Sequence, residues 1–144
     1  MVAAAHEGLT TIVELLLRHG ANPNRYDRGS RTALSYAAQE GHDEVVAHLL
    51  SYGADPNIRD KQKATALLWG ACRGNENIVR RLIAIDGINL NPVDEEGMTA
   101  LTWAIERRYG EIAEIIAEAL PLSKSELVNE VLKWRVLLVK SAGT

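Results

Sequence analysis

A single cysteine, Cys72, stands beside Arg73 and is the first candidate for chemistry in this sequence. A neighbouring cation lowers the pKa of a thiol and favours the reactive thiolate. The opposing interpretation is that Cys72 is a small apolar filler. We favour the filler, because no histidine stands at a matching position, and a catalytic site near Cys72 is the weaker alternative.

The four histidines also fail to indicate a reactive site. None has the spacing to cysteine or carboxylate that a metal site requires. The sequence contains no glycine-rich phosphate loop, metalloprotease motif or nucleophile elbow. We therefore expect no catalytic residue, no bound metal and no cofactor. His42, which follows Gly41, is interpreted as a structural residue that hydrogen-bonds between a hairpin and a helix.

The elements that position these residues recur along the chain with a shift of 33 residues. The clearest copy is residues 27–57, which hold a threonine, an apolar run, a glycine, a second apolar run and a glycine-led turn. Gly8, Gly41 and Gly74 are equally spaced between the two runs. Each copy predicts two helices, because the threonine can cap free amide groups and the glycine accepts a left-handed backbone.

This pattern resembles the ankyrin repeat, whose helix start reads Thr-Pro-Leu-His-x-Ala. Thr-Ala-Leu stands at Thr32, Thr65 and Thr99, so alanine replaces the proline each time. The glycine-led turn Gly-Ala-Asp-Pro-Asn begins at Gly53 and resembles the family's lead-in to its hairpins. The resemblance covers about residues 2–120 and implies an all-α fold, an ankyrin-type solenoid of stacked antiparallel helix pairs joined by hairpin loops.

Four repeats are predicted, at about residues 1–26, 27–59, 60–93 and 94–120, followed by a C-terminal capping helix and tail at 121–144. The first repeat lacks its hairpin, so we expect the chain to be a monomeric fragment of something longer. Asp86 adds one residue to the third hairpin. Arg108 stands where the other repeats have glycine, and Gly110 is expected to take over that turn.

The resemblance implies a concave wall, made of hairpin tips and the ends of the inner helices, that contacts a partner protein. We predict that eighteen residues of this wall bind the partner. They are Tyr26, Arg28, Arg31, Tyr36, Gln39, Glu40, Arg59, Lys61, Gln62, Trp69, Cys72, Arg73, Glu95, Glu96, Met98, Trp103, Glu106 and Arg107.

Tyr36, Trp69 and Trp103 occupy one equivalent position in three successive repeats. Such rings, close to arginines, can anchor a side chain of the partner. The alternative is that the rings pack between adjacent repeats, and we favour this packing, with the ring edges shared with a ligand.

The charges on the hairpin tips divide along the chain. The first two tips are rich in arginine and lysine, whereas the third carries Asp94, Glu95 and Glu96. A wall that is basic at one end and acidic at the other would orient a partner of opposite polarity. The alternative is a solvated edge that only keeps the tips soluble.

After Pro121 the repeat ends, and Ser123 with Glu126 predicts a capping box at the start of a final helix. This helix is apolar on most of its circumference, through residues that include Trp134, Val136 and Leu138. It either covers the end of the stack or docks elsewhere, and we favour the cap.

Composition limits the class of partner and the compartment. A net charge of −3 gives no positive field for nucleic acid or an anionic membrane. One cysteine excludes an internal disulfide and suits the cytosol or nucleus. We therefore predict a protein-interaction module of the scaffold or adaptor kind, without catalytic activity. The alternatives are a small-molecule or enzymatic site on the aromatic and arginine wall, or a spacer within a larger protein.

Overall fold

The computed structural model describes residues 1–142, and the side chains of residues 1–133. Trp134, Val136 and Leu138 of the predicted cap lie outside the described side chains, and residues 143–144 of the predicted tail lie outside the described chain. The helices found within residues 1–142 are α1 Val2–His6, α2 Thr10–Arg18, α3 Ala33–Glu40, α4 Asp43–Ser51, α5 Ala66–Arg73, α6 Glu76–Ile83, α7 Ala100–Glu106, α8 Gly110–Ala119 and α9 Lys124–Ala142.

The first eight helices form two rows, as predicted for stacked helix pairs. The inner row is α1, α3, α5 and α7, and the outer row is α2, α4, α6 and α8, each helix packing on its neighbours in the row. The core between the rows consists of fully buried aliphatic side chains such as Leu34, Leu49 and Leu67. Burial of these side chains against the next repeat is the main source of stability of the stack.

Threonine begins each complete inner helix. The hydroxyl of Thr32 accepts a hydrogen bond from the Ser35 amide at 3.2 Å. Thr65 caps α5 in the same way, and Thr99 forms a reciprocal capping box with Thr102. These bonds satisfy amide groups that have no partner within the helix, which confirms the predicted threonine caps.

Glycine ends the second and third inner helices with a left-handed backbone, at φ +81° in Gly41 and +78° in Gly74. Arg108 takes the same conformation in the fourth repeat, with φ +62°. The expectation that Gly110 replaces the missing glycine is therefore wrong. Gly110 is the first residue of α8 instead, and the turn keeps its shape at a conformational cost in Arg108.

Side chains that follow these glycine positions connect successive repeats. The imidazole Nε2 of His42 lies 3.0 Å from the His6 carbonyl oxygen, so His42 bridges to the preceding inner helix. Asn75 donates to the carbonyls of Ala38 and Gln39 at 2.7 and 3.0 Å. In both repeats the side chain after the glycine thus bonds to carbonyl groups at the C-terminal end of the preceding inner helix. These carbonyl groups have no partner within their own helix.

The first turns of α9 lie against the last repeat. Leu127 packs on the core, and it lines an apolar groove of about 350 Å³ together with side chains of α7 and α8. The Ser123 amide donates to the Glu126 carboxylate at 2.7 Å, as the capping box requires. Val128 and Leu132 remain 55% and 48% exposed, so the groove is open to solvent along the described part of α9.

Candidate functional site

The three aromatic rings are held by three hairpin aspartates. The Tyr36 hydroxyl donates to Asp27 at 2.7 Å, and the indole N–H groups of Trp69 and Trp103 donate to an aspartate at 2.9 and 2.7 Å. Those aspartates are Asp60 and Asp94. Each aspartate precedes its ring by nine residues, so the same bond recurs in successive repeats.

The other oxygen of each aspartate shapes the hairpin tip. In the second tip, Oδ1 of Asp60 accepts the amides of Gln62 and Ala64, both at 2.9 Å. Asp27 and Asp94 accept the amides two and four residues ahead in the same way. One carboxylate therefore fixes both the backbone of the tip and the orientation of the ring behind it.

In the first pair, Asp27 and Tyr36, the hydrogen bond shifts the pKa of both side chains. The Tyr36 hydroxyl, together with backbone amides of the tip, holds the pKa of Asp27 below its usual value, although burial acts in the opposite direction. The same hydrogen bond, supported by burial, raises the pKa of Tyr36. At neutral pH the pair is therefore a carboxylate and a neutral phenol.

Arg31 fills the gap between the first two rings. Its guanidinium carbon lies 4.0 Å from the centre of the Tyr36 ring and 4.3 Å from the Trp69 ring. Nη2 donates to the Gln39 side chain at 2.5 Å, and Nε lies 3.8 Å from the buried Asp60 carboxylate. Only 16% of the Arg31 side chain is exposed, so this predicted partner contact is largely occupied within the chain.

The next gap contains a cavity instead. Ala64 occupies the position of Arg31 one repeat later. Its side chain is too short to fill the space between Trp69 and Trp103. A cavity of about 230 Å³ remains. The residues that line it are Gln62, Ala64, Leu68, Trp69, Cys72, Arg73, Asp94, Glu95, Glu96, Trp103 and Arg107.

The hairpin tips are joined into one rim. The Lys61 amide donates to the Gly29 carbonyl at 3.1 Å, and the Glu95 amide donates to the Gln62 carbonyl at 2.9 Å. The exposed charged side chains of the tips therefore follow one another along a continuous edge. Arg28 and Lys61 are exposed in the first two tips, and Glu95 is exposed in the third.

The predicted site residues differ in how much of each side chain is accessible. Those classed as exposed are Tyr26, Arg28, Glu40, Arg59, Lys61, Gln62, Arg73, Glu95, Glu96, Glu106 and Arg107. Those that are half-buried are Arg31, Tyr36, Gln39, Trp69, Cys72 and Trp103. Met98 is only 5% exposed and belongs to the interior of its hairpin.

Arg59 is exposed, but its guanidinium is engaged within the chain. Nε donates to the Lys63 carbonyl at 2.9 Å, and Nη2 donates to the Val93 carbonyl of the following tip. Arg59 therefore helps to hold two tips together. Arg28 and Lys61 are better suited than Arg59 to report on binding alone.

The thiol of Cys72 is half-buried and lies near two guanidinium groups. Burial raises the pKa of its thiol, despite the opposing effect of the Arg107 and Arg73 guanidinium groups. A raised pKa disfavours the thiolate, and the filler interpretation agrees with the half-buried position of Cys72. Among the residues searched within the described structure, no three histidine, cysteine or acidic side chains are placed to hold a metal ion.

The residues that sequence reasoning missed are the three aspartates. Their recurrence is visible in the sequence, but the hydrogen bond from each aromatic ring to its aspartate was not predicted. The available signal was the constant interval of nine residues between an acid and a ring in three successive repeats.

Comparison with known families agrees with this geometry. A family model described as ankyrin repeats (3 copies) matches residues 1–60 and 53–125. The chain is an ankyrin repeat protein. No curated protein sequence matches it significantly.

Ankyrin repeats are generally protein–protein interaction modules, and the family is typically non-catalytic. None of the described helices combines the length and the apolar character needed to cross a membrane. The ankyrin fold carries many binding specificities, so the specificity of this chain depends on the side chains of its own wall.

Proposed function

We propose that this ankyrin repeat protein is an interaction module, of the scaffold or adaptor kind, whose partner protein binds the concave wall. The observation that carries the proposal is the continuous rim of tips, basic at Arg28 and Lys61 and acidic at Glu95 and Glu96. Charges arranged in this order favour a partner segment with acidic residues at one end and basic residues at the other. The role requires no catalytic residue and no cofactor.

The wall is suited to binding because it is preformed. Aspartate bonds fix each tip, and backbone bonds link the tips to one another. A surface held in this way loses little conformational entropy when a partner binds. The single cysteine supports the cytosol or nucleus as the compartment, and the net charge of −3 supports a partner other than nucleic acid or membrane.

A small-molecule site is the second candidate, and the cavity between Trp69 and Trp103 is the observation in its favour. Its volume of about 230 Å³ is smaller than the range of roughly 300–1,000 Å³ that is common for ligand pockets. The space suits a single side chain better than a whole metabolite. The cavity therefore supports a role within a protein interface.

Charge reversal on the rim tests the proposed function. Peptides selected from a random display library on the wild-type protein are the probes, and their affinities are measured at low and high salt. We expect Arg28→Glu and Lys61→Glu each to lower the affinity for the selected peptides about tenfold at low salt. The loss of affinity should be smaller at high salt.

Arg18→Glu on the outer helix α2 is the matched control, because it makes the same change in net charge away from the wall. It should leave the affinities unchanged. Equal losses in Arg18→Glu and Arg28→Glu, or peptides that bind all variants alike, would contradict a partner on the concave wall.

A further inference from the structure

Arg31 shows how this scaffold binds a guanidinium group. The group lies between two aromatic rings, with carbon-to-centroid distances of 4.0 and 4.3 Å. The Gln39 side chain accepts one of its N–H groups, and the Asp60 carboxylate is 3.8 Å from its Nε. Planar cations are bound well by such a combination of ring faces and carboxylate.

The two rings and the carboxylate of this site recur one repeat later without the arginine. Trp69 and Trp103 replace Tyr36 and Trp69 as the two rings, and Asp94 replaces Asp60 as the carboxylate that accepts from the second ring. Ala64 stands where Arg31 stood, and the cavity of about 230 Å³ lies between the rings. The two rings and the carboxylate are thus present, Cys72 stands where Gln39 stood, and the side chain that fills the space in the preceding repeat is missing.

The charges around the cavity favour a cation. Asp94, Glu95 and Glu96 line it, so carboxylates outnumber the guanidinium groups of Arg73 and Arg107 in the lining. The Arg107 guanidinium carbon is 5.4 Å from the Trp103 ring centre, a longer separation than either ring contact of Arg31. An uncharged aromatic occupant would stack on the rings but would leave one carboxylate in excess of the guanidinium groups in the lining.

We propose that the cavity between Trp69 and Trp103 binds an arginine side chain supplied by the partner protein. The proposal rests on the proposed function, because the arginine belongs to the segment that binds the concave wall. It identifies the chemistry of one anchor in that segment. The acidic third tip meets the basic end of the partner, in agreement with the polarity of the rim.

The probe is N-acetylarginine methylamide, compared with its citrulline counterpart, which has the same shape and no charge. Binding is followed by nuclear magnetic resonance of the indole N–H groups of Trp69 and Trp103. We expect the arginine compound to shift both signals with an affinity at least about tenfold above that of citrulline. Equal affinities for the two compounds would overturn the proposal.

Ala64→Arg supplies a guanidinium from within the chain. Because the backbone at Ala64 makes the same bond to its aspartate as Arg31 does, the new side chain should enter the cavity and abolish binding of the probe. Ala84→Arg at the end of the outer helix α6 adds the same charge outside the wall and should preserve binding. The double variant Glu95→Gln/Glu96→Gln changes two exposed side chains and should keep the fold. It should lower the affinity for the probe severalfold.

The outcomes separate this proposal from the proposed function. If the probe fails to bind while library peptides bind and respond to Arg28→Glu, the cavity proposal is wrong and the interaction module stands. If Ala64→Arg retains binding of the probe with the fold intact by circular dichroism, the arginine site lies elsewhere and the proposal is again wrong.

Discussion

Gly70 and Gly74 lie four residues apart around the end of α5, and we expect alanine to have opposite effects at the two positions. Gly70 is inside the helix, where a Cβ atom would meet Val79 at 3.5 Å and Ile78 at 3.6 Å, which are ordinary contacts. Gly74 has φ +78°, and its Cβ atom would lie 2.8 Å from the Tyr109 ring. The first site has room for a methyl group, and the second does not.

The expected magnitudes follow from these geometries. Gly70→Ala should stabilise the protein by about 0.5–1 kcal/mol, since alanine is the better helix former. Gly74→Ala should cost about 1–2 kcal/mol for the left-handed backbone. Displacement of the Tyr109 ring should add about 1–3 kcal/mol.

Urea unfolding followed by circular dichroism measures the free energy of unfolding of each variant. The midpoint of thermal unfolding should shift by about 3 °C for each kcal/mol. The double variant Gly74→Ala/Tyr109→Ala separates the two costs at Gly74. Its loss should be smaller than the sum of the single losses, because the overlap with the ring is gone. A loss of stability above about 1 kcal/mol in Gly70→Ala would contradict this prediction, since ordinary contacts would then not be tolerated.

Two further predictions concern the left-handed turn and the first hairpin. Arg108→Gly should stabilise the protein by about 1 kcal/mol in the same urea assay, because glycine adopts φ +62° without strain. The control Arg107→Gly, at a residue with φ −83°, should destabilise the protein. Asp27 has a lowered pKa in the folded state, so its contribution to stability is present above about pH 4 and is lost as the pH falls below that value. Unfolding measured between pH 7 and pH 2.5 should accordingly show a shallower acid dependence in Asp27→Asn and in Tyr36→Phe than in wild type; equal slopes would contradict this linkage.

The helix pairs were predictable because each is bounded by local signals. Thr32 begins α3 and Gly41 ends it, and both act through bonds or dihedral angles within a few residues. The shift of 33 residues then repeats one correct assignment along the chain. Long-range information was needed only to stack the pairs, and the family resemblance supplied it.

The contacts of the wall were less predictable because they join neighbouring repeats. Arg31 was expected to point towards a partner, but its direction depends on the Trp69 ring and the Asp60 carboxylate of the next repeat. The cavity beside Ala64 has the same origin, since it arises from a small residue placed between two large rings. Arg108 was misjudged for another reason: a left-handed turn can be imposed by the rest of the fold on a residue that disfavours it.

The aspartate and ring pairs make stability and binding interdependent in this protein. The Asp60 carboxylate accepts two amides of the second tip and the indole N–H of Trp69. Removal of the indole therefore leaves one oxygen of this buried carboxylate without its hydrogen-bond donor. A Trp69 variant should therefore lose tip geometry and partner affinity together. Arg28 and Lys61 are exposed on the same rim, and substitutions there change the charge that a partner meets while the bonds of the tips remain. A comparison of the two kinds of variant separates the energy of binding from the energy that keeps the wall in shape.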